Sequence, residues 1–438
     1  MSSGRLPRWR LGAGALAMLL AAGLAGAAVL AQAASSTGPW AQLHPLQIPA
    51  ARHASVWQMV GNPSSPENLV AATSQGVWTS NDDGKSWAES SLHQFTWALG
   101  YANSGSVLYA GTNKKGVFRS TDDGLSWTKQ DAGLGNLDVR AIATGPSAIV
   151  LGTAQGVYVS GNGRAWESAG LGSSSISAVA IVANTPLGVV AGSDQTAQND
   201  NLYRSLSVGV SPGWQQVPAG APGGSPVFAI AAGPVVQGGT TPPILVGSLK
   251  GLYGSTDGGD TWHAETLAGG ALWSVNAIAF DPDNPQVIYV GGDNGGSSGG
   301  GLQRSVNAGG TWAAFQQGIP AAFQDITALA ALPTAPLTVL ASTWDPDTRQ
   351  GGTARALDTS APGAVALSSS SGTPISVAVS PTPTGQPVRP HHHQRAAKPL
   401  TVPVGLLVGV VAIVVIILIL VSIYLRRRRL RLDAEAPP

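Results

Sequence analysis

One short pattern, S-x-D-x-G-x-x-W, limits what this chain can fold into. It occurs as SNDDGKSW (Ser80–Trp87), STDDGLSW (Ser120–Trp127), STDGGDTW (Ser255–Trp262) and, with Asn307 replacing the aspartate, SVNAGGTW (Ser305–Trp312). Two degenerate copies are SGNGRAW (Ser160–Trp166) and SLSVGVSPGW (Ser205–Trp214). Each copy follows a short alternating run such as GVWTS, GVFRS or GLYGS. Upstream of that run lie a second (VLYAGT, IVLGT, ILVGS) and a third (VRAIA, VFAIA, VNAIA). Period-2 alternation bounded by Gly, Asn, Asp and Pro is the signature of strands joined by hairpins. A spacing of about 40–50 residues between copies is that of a radial array.

Each unit therefore supplies three strands, a boxed turn and a fourth strand opened by tryptophan, which is one blade of a β-propeller. The predicted fold is all-β, a single seven-bladed propeller. The seventh unit has strands at Ile326–Leu332 and Thr338–Thr343 but no box and no closing Trp. The segment PWAQLHPL (Pro39–Leu46) resembles the stretches that follow the boxes, and no three strands precede it. It is expected to complete the seventh blade and so remove two exposed strand edges.

Glycine fills 57 of 438 positions, roughly twice the usual share, as many tight turns require. There is no cysteine, which excludes disulfides, thiol catalysis and cysteine-ligated metals. Residues 34–400 hold 16 basic and 21 acidic residues, a net −5, while the basic clusters sit at the two ends. A mildly acidic middle argues against a nucleic-acid partner.

Each end cluster flanks an apolar run. Arg5, Arg8 and Arg10 precede Leu11–Leu30 and an Ala31-Gln32-Ala33 cleavage signature, so residues 1–33 read as an export signal or an uncleaved anchor. Residues 402–425 are uncharged and nearly all Val, Ile and Leu. As a helix they would reach about 36 Å, enough to cross a ~30 Å hydrocarbon core. Arg426–Arg429 follow, so residues 426–438 form a basic tail expected on the cytoplasmic side. Residues 38–358 are the propeller, placed outside the cell membrane, and residues 359–400 are a Ser/Thr/Pro-rich stalk.

The box pattern resembles the Asp-box (BNR-repeat) propellers: bacterial sialidases, tandem-propeller xyloglucanases, sortilin-type receptors and photosystem II assembly-factor-like propellers. The resemblance covers residues 38–358. It is specific for fold and not for function, since enzymes, receptors and assembly factors share the box.

The box residues are read as structural. Asp82, Asp122 and Asp257 can accept backbone N–H bonds and tie down the turn, as can Asn307. Gly84, Gly124, Gly259 and Gly309 suit a positive φ. Trp87, Trp127, Trp262 and Trp312 supply apolar surface, and Ser80, Ser120, Ser255 and Ser305 open the turns. A sialidase of the resembling type would need an arginine cluster, a tyrosine–glutamate pair and an acid–base aspartate. The chain's outer part has only four glutamates, Glu67, Glu89, Glu167 and Glu265, three of them just after a box tryptophan. No catalytic residue, metal or cofactor is assigned. His391–His393 are consecutive and lie in the stalk, while the Asp-Pro-Asp stretches at Asp281 and Asp345 read as turns ahead of calcium loops. The candidate ligand site is the channel mouth, where loops entering each blade's first strand bring His53, His93, Asp138, Trp273 and Asp325. The function expected is a membrane-tethered, non-enzymatic module binding a protein or glycan on the outer surface. The alternative is a cell-surface glycoside hydrolase of sialidase or xyloglucanase type.

Overall fold

The computed structural model describes residues 40, 42–44, 55–184, 186–195, 201–208, 213–217, 222–235, 239–269, 274–293, 301–319, 325–345 and 350–362. They form seven four-stranded antiparallel sheets, each with its strands in sequence order save the last. Blade 1 is typical: Val56–Asn62, Ser65–Thr73, Gly76–Ser80 and the two-residue outer strand Ala88–Glu89. Blades 2 to 6 begin with first strands Thr96–Ala102, Val139–Thr144, Ile176–Asn184, Val227–Ala232 and Ser274–Asp281. Blade 7 is built from Asp325–Leu332, Leu337–Asp345 and Gln350–Asp358, and its fourth strand is Gln42–His44 from the other end of the chain. First strands of successive blades touch all the way round, including blade 7 against blade 1. The ring is closed.

The core lies between blades. One cluster joins Val70, Ala72 and Val77 of blade 1 to Leu99, Tyr101, Leu108 and Ala110 of blade 2, and six similar clusters fill the other seams. Inner strands are thus buried on both faces, which is why they read as near-continuous apolar runs. The repeated glycine of YAGT, VLGT, VAGS, LVGS and YVGG has a packing cause. A Cβ on Gly111, Gly152, Gly192, Gly247 or Gly291 would come within 2.4–2.9 Å of Val139, Ile176, Val227, Val275 or Ile326, the first-strand residue of the next blade. Hydrogen in place of a methyl lets neighbouring blades close on one another.

The tryptophans form a relay around the rim. Trp127 Nε1 donates to Ser90 Oγ (2.8 Å), Trp166 to Gln130 O (2.7 Å), Trp214 to Ala169 O (2.6 Å) and Trp312 to Glu265 Oε2 (3.3 Å). In every case the acceptor lies three residues past the preceding blade's tryptophan. Trp40 obeys the same rule: fully buried, it donates to Phe315 O (2.5 Å), three residues past Trp312. The expected closure by the N-terminal strand therefore holds in both backbone and side chain. Trp262 departs from the relay and bonds Gly259 O in its own turn (3.0 Å).

Among the described residues no helix is long and apolar enough to cross a membrane. Residues 402–425, the signal at 1–33 and most of the stalk lie outside them. The Asp281 stretch is a turn, as expected: Asp281 and Asn284 pair across it and Asp283 N bonds Asp281 Oδ1 (2.9 Å).

Candidate binding mouth

The first strand of every blade carries a β-bulge at the same place. Pairing with the second strand slips between Val56 and Gln58, Thr96 and Ala98, Val139 and Ala141, Ile176 and Ala178, Val227 and Ala229, Val275 and Ala277, and Ile326 and Ala328. The skipped residues are Trp57, Trp97, Arg140, Ser177, Phe228, Asn276 and Thr327. A bulge leaves one residue unpaired and re-aims its side chain. Seven such residues at the entry ends of seven touching inner strands make a ring at one end of the axis.

Their contacts run forward from blade to blade. Trp57 of blade 1 stacks on Phe95 at the entry to blade 2 (centroids 5.9 Å, 21°) and meets Trp97 (5.3 Å), which packs on Phe95 at 4.2 Å. Trp97 Nε1 donates to Asp138 Oδ1 at the entry to blade 3 (3.1 Å). Arg140 holds Asp138 Oδ2 through Nε (3.2 Å) and Nη2 (3.0 Å), then reaches blade 4 through Nη1 to Ser175 Oγ (2.8 Å) and Asp194 Oδ2 (3.0 Å). Ser177 Oγ donates to Val227 O of blade 5 (2.6 Å). Burial pushes the Asp194 carboxyl up, and the Arg140 charge offsets this only in part. Trp57, Phe95, Arg140, Phe228, Asn276 and Thr327 are half-buried, so the ring offers an aromatic side on blades 1 and 2 and small polar groups on blades 6 and 7.

Of the residues expected at the mouth, Asp138 is buried within this network. Asp325 begins the first strand of blade 7, two residues before Thr327. His93 precedes Phe95, but its ring is 62% exposed and pairs with Glu89 of the outer strand (3.1 Å), away from Asp138. His53 and Trp273 lie outside the described residues. The bulge residues themselves went unread in the sequence. The available signal was a position that varies from Trp to Arg to Ser between repeating neighbours, as in TWA, VRA, ISA, VFA and VNA.

The repeated turns stand at the opposite end, after the third strands. Ser80 Oγ accepts from Gly84 N (2.9 Å) and donates to Asp82 Oδ1 (2.8 Å), which accepts from Ser86 N (2.8 Å). The same bonds recur at Ser120–Asp122, Ser255–Asp257 and Ser305–Asn307. The serines are the buried hubs and the aspartates are half-buried or exposed. Gly84, Gly124, Gly259 and Gly309 have φ of 79, 85, 90 and 91°. For Asp82 and Asp122 burial pushes the pKa up, but bonds from Ser86 and Ser126 outweigh it and leave each below its ordinary value. For Asp257 the Thr261 hydroxyl and N–H lower it further. Among the described residues no three His, Asp or Glu side chains gather as a metal cluster.

No family model and no curated protein matches the sequence. Solved structures do match. YCF48 from Cyanidioschyzon merolae superposes with a TM-score of 0.51 at 15% identity, over 72% of this chain and 98% of its own. The GH74 enzyme of Niastella koreensis gives 0.54 at 16%, over 69% of this chain and 53% of that one. The GH74 xyloglucanase of Xanthomonas campestris gives 0.52 at 17%, over 71% and 55%. The chain thus spans about half the length of either GH74 enzyme. YCF48 bound to a D1 peptide gives 0.50 at 14%, over 74% and 98%. At such identities the likeness is one of fold: the chain is a seven-bladed β-propeller of the architecture shared by YCF48 and the GH74 enzymes.

Proposed function

We propose that this chain is a membrane-tethered propeller, facing outward, that binds a segment of a partner protein across the ring of bulge residues and performs no covalent chemistry there. The observation that carries this reading is the composition of the ring. Half-buried Trp57 and Phe95 provide a stacked aromatic surface, and Phe228 a third ring. Two carboxylates buried in the same ring, Asp138 and Asp194, are both bound by Arg140. A glycosidase needs two opposed carboxyl groups free to handle a proton and a nucleophile, whereas a carboxylate bound to a guanidinium is a poor general acid. Convergent polar groups and aromatics at a ring mouth suit a peptide. That a protein of this fold has been captured with a peptide is consistent with it. The tether rests on the sequence of residues 1–33, 402–425 and 426–438.

Replacement of both Trp57 and Phe95 by Ala should abolish capture of a protein partner from the native membrane while changing the melting temperature little. Undiminished capture would remove the mouth from consideration. Release of sugar from xyloglucan or a sialoside by the purified protein would overturn the non-enzymatic reading. External protease on intact cells should release the propeller and spare the tail.

A further inference from the structure

The hairpin that joins second and third strands breaks the repeat at blade 2. Blades 1, 3 and 5 make it with two residues: Ser74-Gln75 between Thr73 and Gly76, Ala154-Gln155 between Thr153 and Gly156, and Leu249-Lys250 between Ser248 and Gly251. Blade 2 uses three, Asn113-Lys114-Lys115, between Thr112 and Gly116. The longer loop holds Lys114 at φ 59°, a left-handed conformation that the two-residue hairpins leave to their closing glycine and that a residue with a Cβ adopts at a cost. Insertions in a repeat architecture collect on one face, commonly the face that binds.

This hairpin stands in the aromatic sector of the ring. Asn113 N donates to Phe95 O (2.9 Å) and Gly116 N to Leu137 O (2.9 Å), so the loop is pinned between the Trp57–Phe95 stack and Leu137, which is 36% exposed. Lys114 and Lys115 are both exposed and form no ion pair among the described residues. The carboxylates on the flanking segments are already engaged: Asp131 by Lys129 (2.5 Å), Glu89 by His93 (3.1 Å) and Asp138 by Arg140 (3.0 Å). The chain's sole Lys-Lys pair is thus left facing outward beside an aromatic surface, on a body whose net charge is negative. We propose, building on the mouth reading above, that the partner segment is acidic. Its carboxylates meet Lys114 and Lys115 while an adjacent aromatic or branched aliphatic residue lies on the Trp57–Phe95 face. The rings supply contact area, and charge complementarity selects among partners. An anionic membrane fits less well, since lipid adsorption draws on clusters of several basic residues.

The test pans a phage library of random dodecapeptides on the full-length protein in detergent. Wild type should enrich sequences with paired Asp or Glu beside an aromatic or branched aliphatic residue. Fluorescence anisotropy of a labelled winner, acetylated and amidated so that neither terminus is charged, then gives its affinity. Its Asn/Gln analogue should bind about fivefold more weakly at low salt, the combined scale of two exposed ion pairs, and added salt should erase the difference. Lys114→Gln with Lys115→Gln should bind winner and analogue alike, whereas Lys250→Gln on blade 5 should discriminate as wild type does. Lys114→Glu with Lys115→Glu should enrich basic peptides instead. Trp57→Ala with Phe95→Ala separates the two ways of failing. Wild-type winners that lack acidic residues but are lost in that variant would overturn the acidic partner and leave the mouth in place. Winners that survive both that variant and the lysine changes would overturn the mouth as well. Enrichment of the same acidic peptides by the lysine-to-glutamate variant would overturn the proposal. So would the absence of any enriched peptide, including the case in which wild type binds phosphatidylglycerol vesicles instead.

Discussion

Trp40→Ala tests how the ring is closed. The indole is fully buried, sits edge-on to Phe315 (5.9 Å, 73°), and packs among Tyr289, Leu302 and Val339 of the seam between blades 6 and 7. Truncating a buried aromatic costs about 3–5 kcal/mol, and the lost bond to Phe315 O falls within that figure. With an unfolding entropy of about 2.1 cal/mol/K per residue over roughly 320 residues, this converts to a fall of about 4–8 °C in melting temperature. The matched control is Trp87→Ala. That side chain is only half-buried and its Nε1 has no partner among the described residues, so its loss should lower the melting temperature by less than half as much. Hydrogen exchange should show the Trp40→Ala damage as lost protection in Gln350–Asp358, the strand that pairs with Gln42–His44. A shift no larger than that of Trp87→Ala, or protection lost evenly over all blades, would refute the idea that Trp40 is the fifth member of the tryptophan relay.

Three further outcomes follow from the same structure. Ser255→Ala should destabilise by about 1–3 kcal/mol by leaving the buried Gly259 N–H unpaired, and chemical denaturation should show Asp257→Asn to be milder, because Asn307 already makes the equivalent bonds. Asp257, held below the ordinary carboxylate value by Thr261, should still be ionised at a pH where a free aspartate, near 3.9, is largely protonated. Its stabilisation is fully present above that value and lost as pH falls through the lower, folded one, and carboxyl NMR showing it to titrate at 3.9 or above would contradict this. Arg140→Gln should destabilise by about 3–5 kcal/mol, the scale of stranding a buried charge, and by more than Arg140→Gln combined with Asp138→Asn and Asp194→Asn. Equal losses in a melting series would mean that Arg140 contributes packing alone.

Most of the fold was legible because it repeats. A single blade would be ambiguous, but seven spaced copies fix strand order, turn position and closure together. What repetition hides is whatever breaks its period. The bulge residue is one extra position in an alternating run, so Trp57, Trp97 and Arg140 read as ordinary strand residues until pairing partners are seen. Entry-loop residues such as His93 are the more conspicuous letters, but the His93 side chain turns to Glu89. Register in blade 7 was hidden for a related reason. Ala88, one past Trp87, faces Thr79, and Ala313, one past Trp312, faces Arg304, whereas in blade 7 the residue opposite Arg355 is Gln42, two past Trp40. Elsewhere a hairpin sets the register. Here the partner strands come from distant parts of the chain and no turn fixes them. The balance within the boxed turn was also misplaced: the aspartate is the conspicuous letter, but the serine is the buried hub.

Strand Gln42–His44 enters and strand Gln350–Asp358 leaves on the side of the ring that bears the repeated turns, and this has a mechanical consequence. Tension applied to the chain beyond Pro362 meets first the bond from Asn284 Nδ2 to Pro362 O (3.3 Å) and that from Arg304 Nη1 to Ser360 Oγ (2.7 Å), and then Asp358. Its carboxylate is gripped by Arg304 Nη1 (2.6 and 2.5 Å) and by the Tyr289 hydroxyl (2.5 Å), both in blade 6. The Arg304 guanidinium lies in turn over the Phe315 ring, 4.8 Å from its centroid. A pull is therefore shared with the neighbouring blade before it can shear the three-residue ladder that seals the ring.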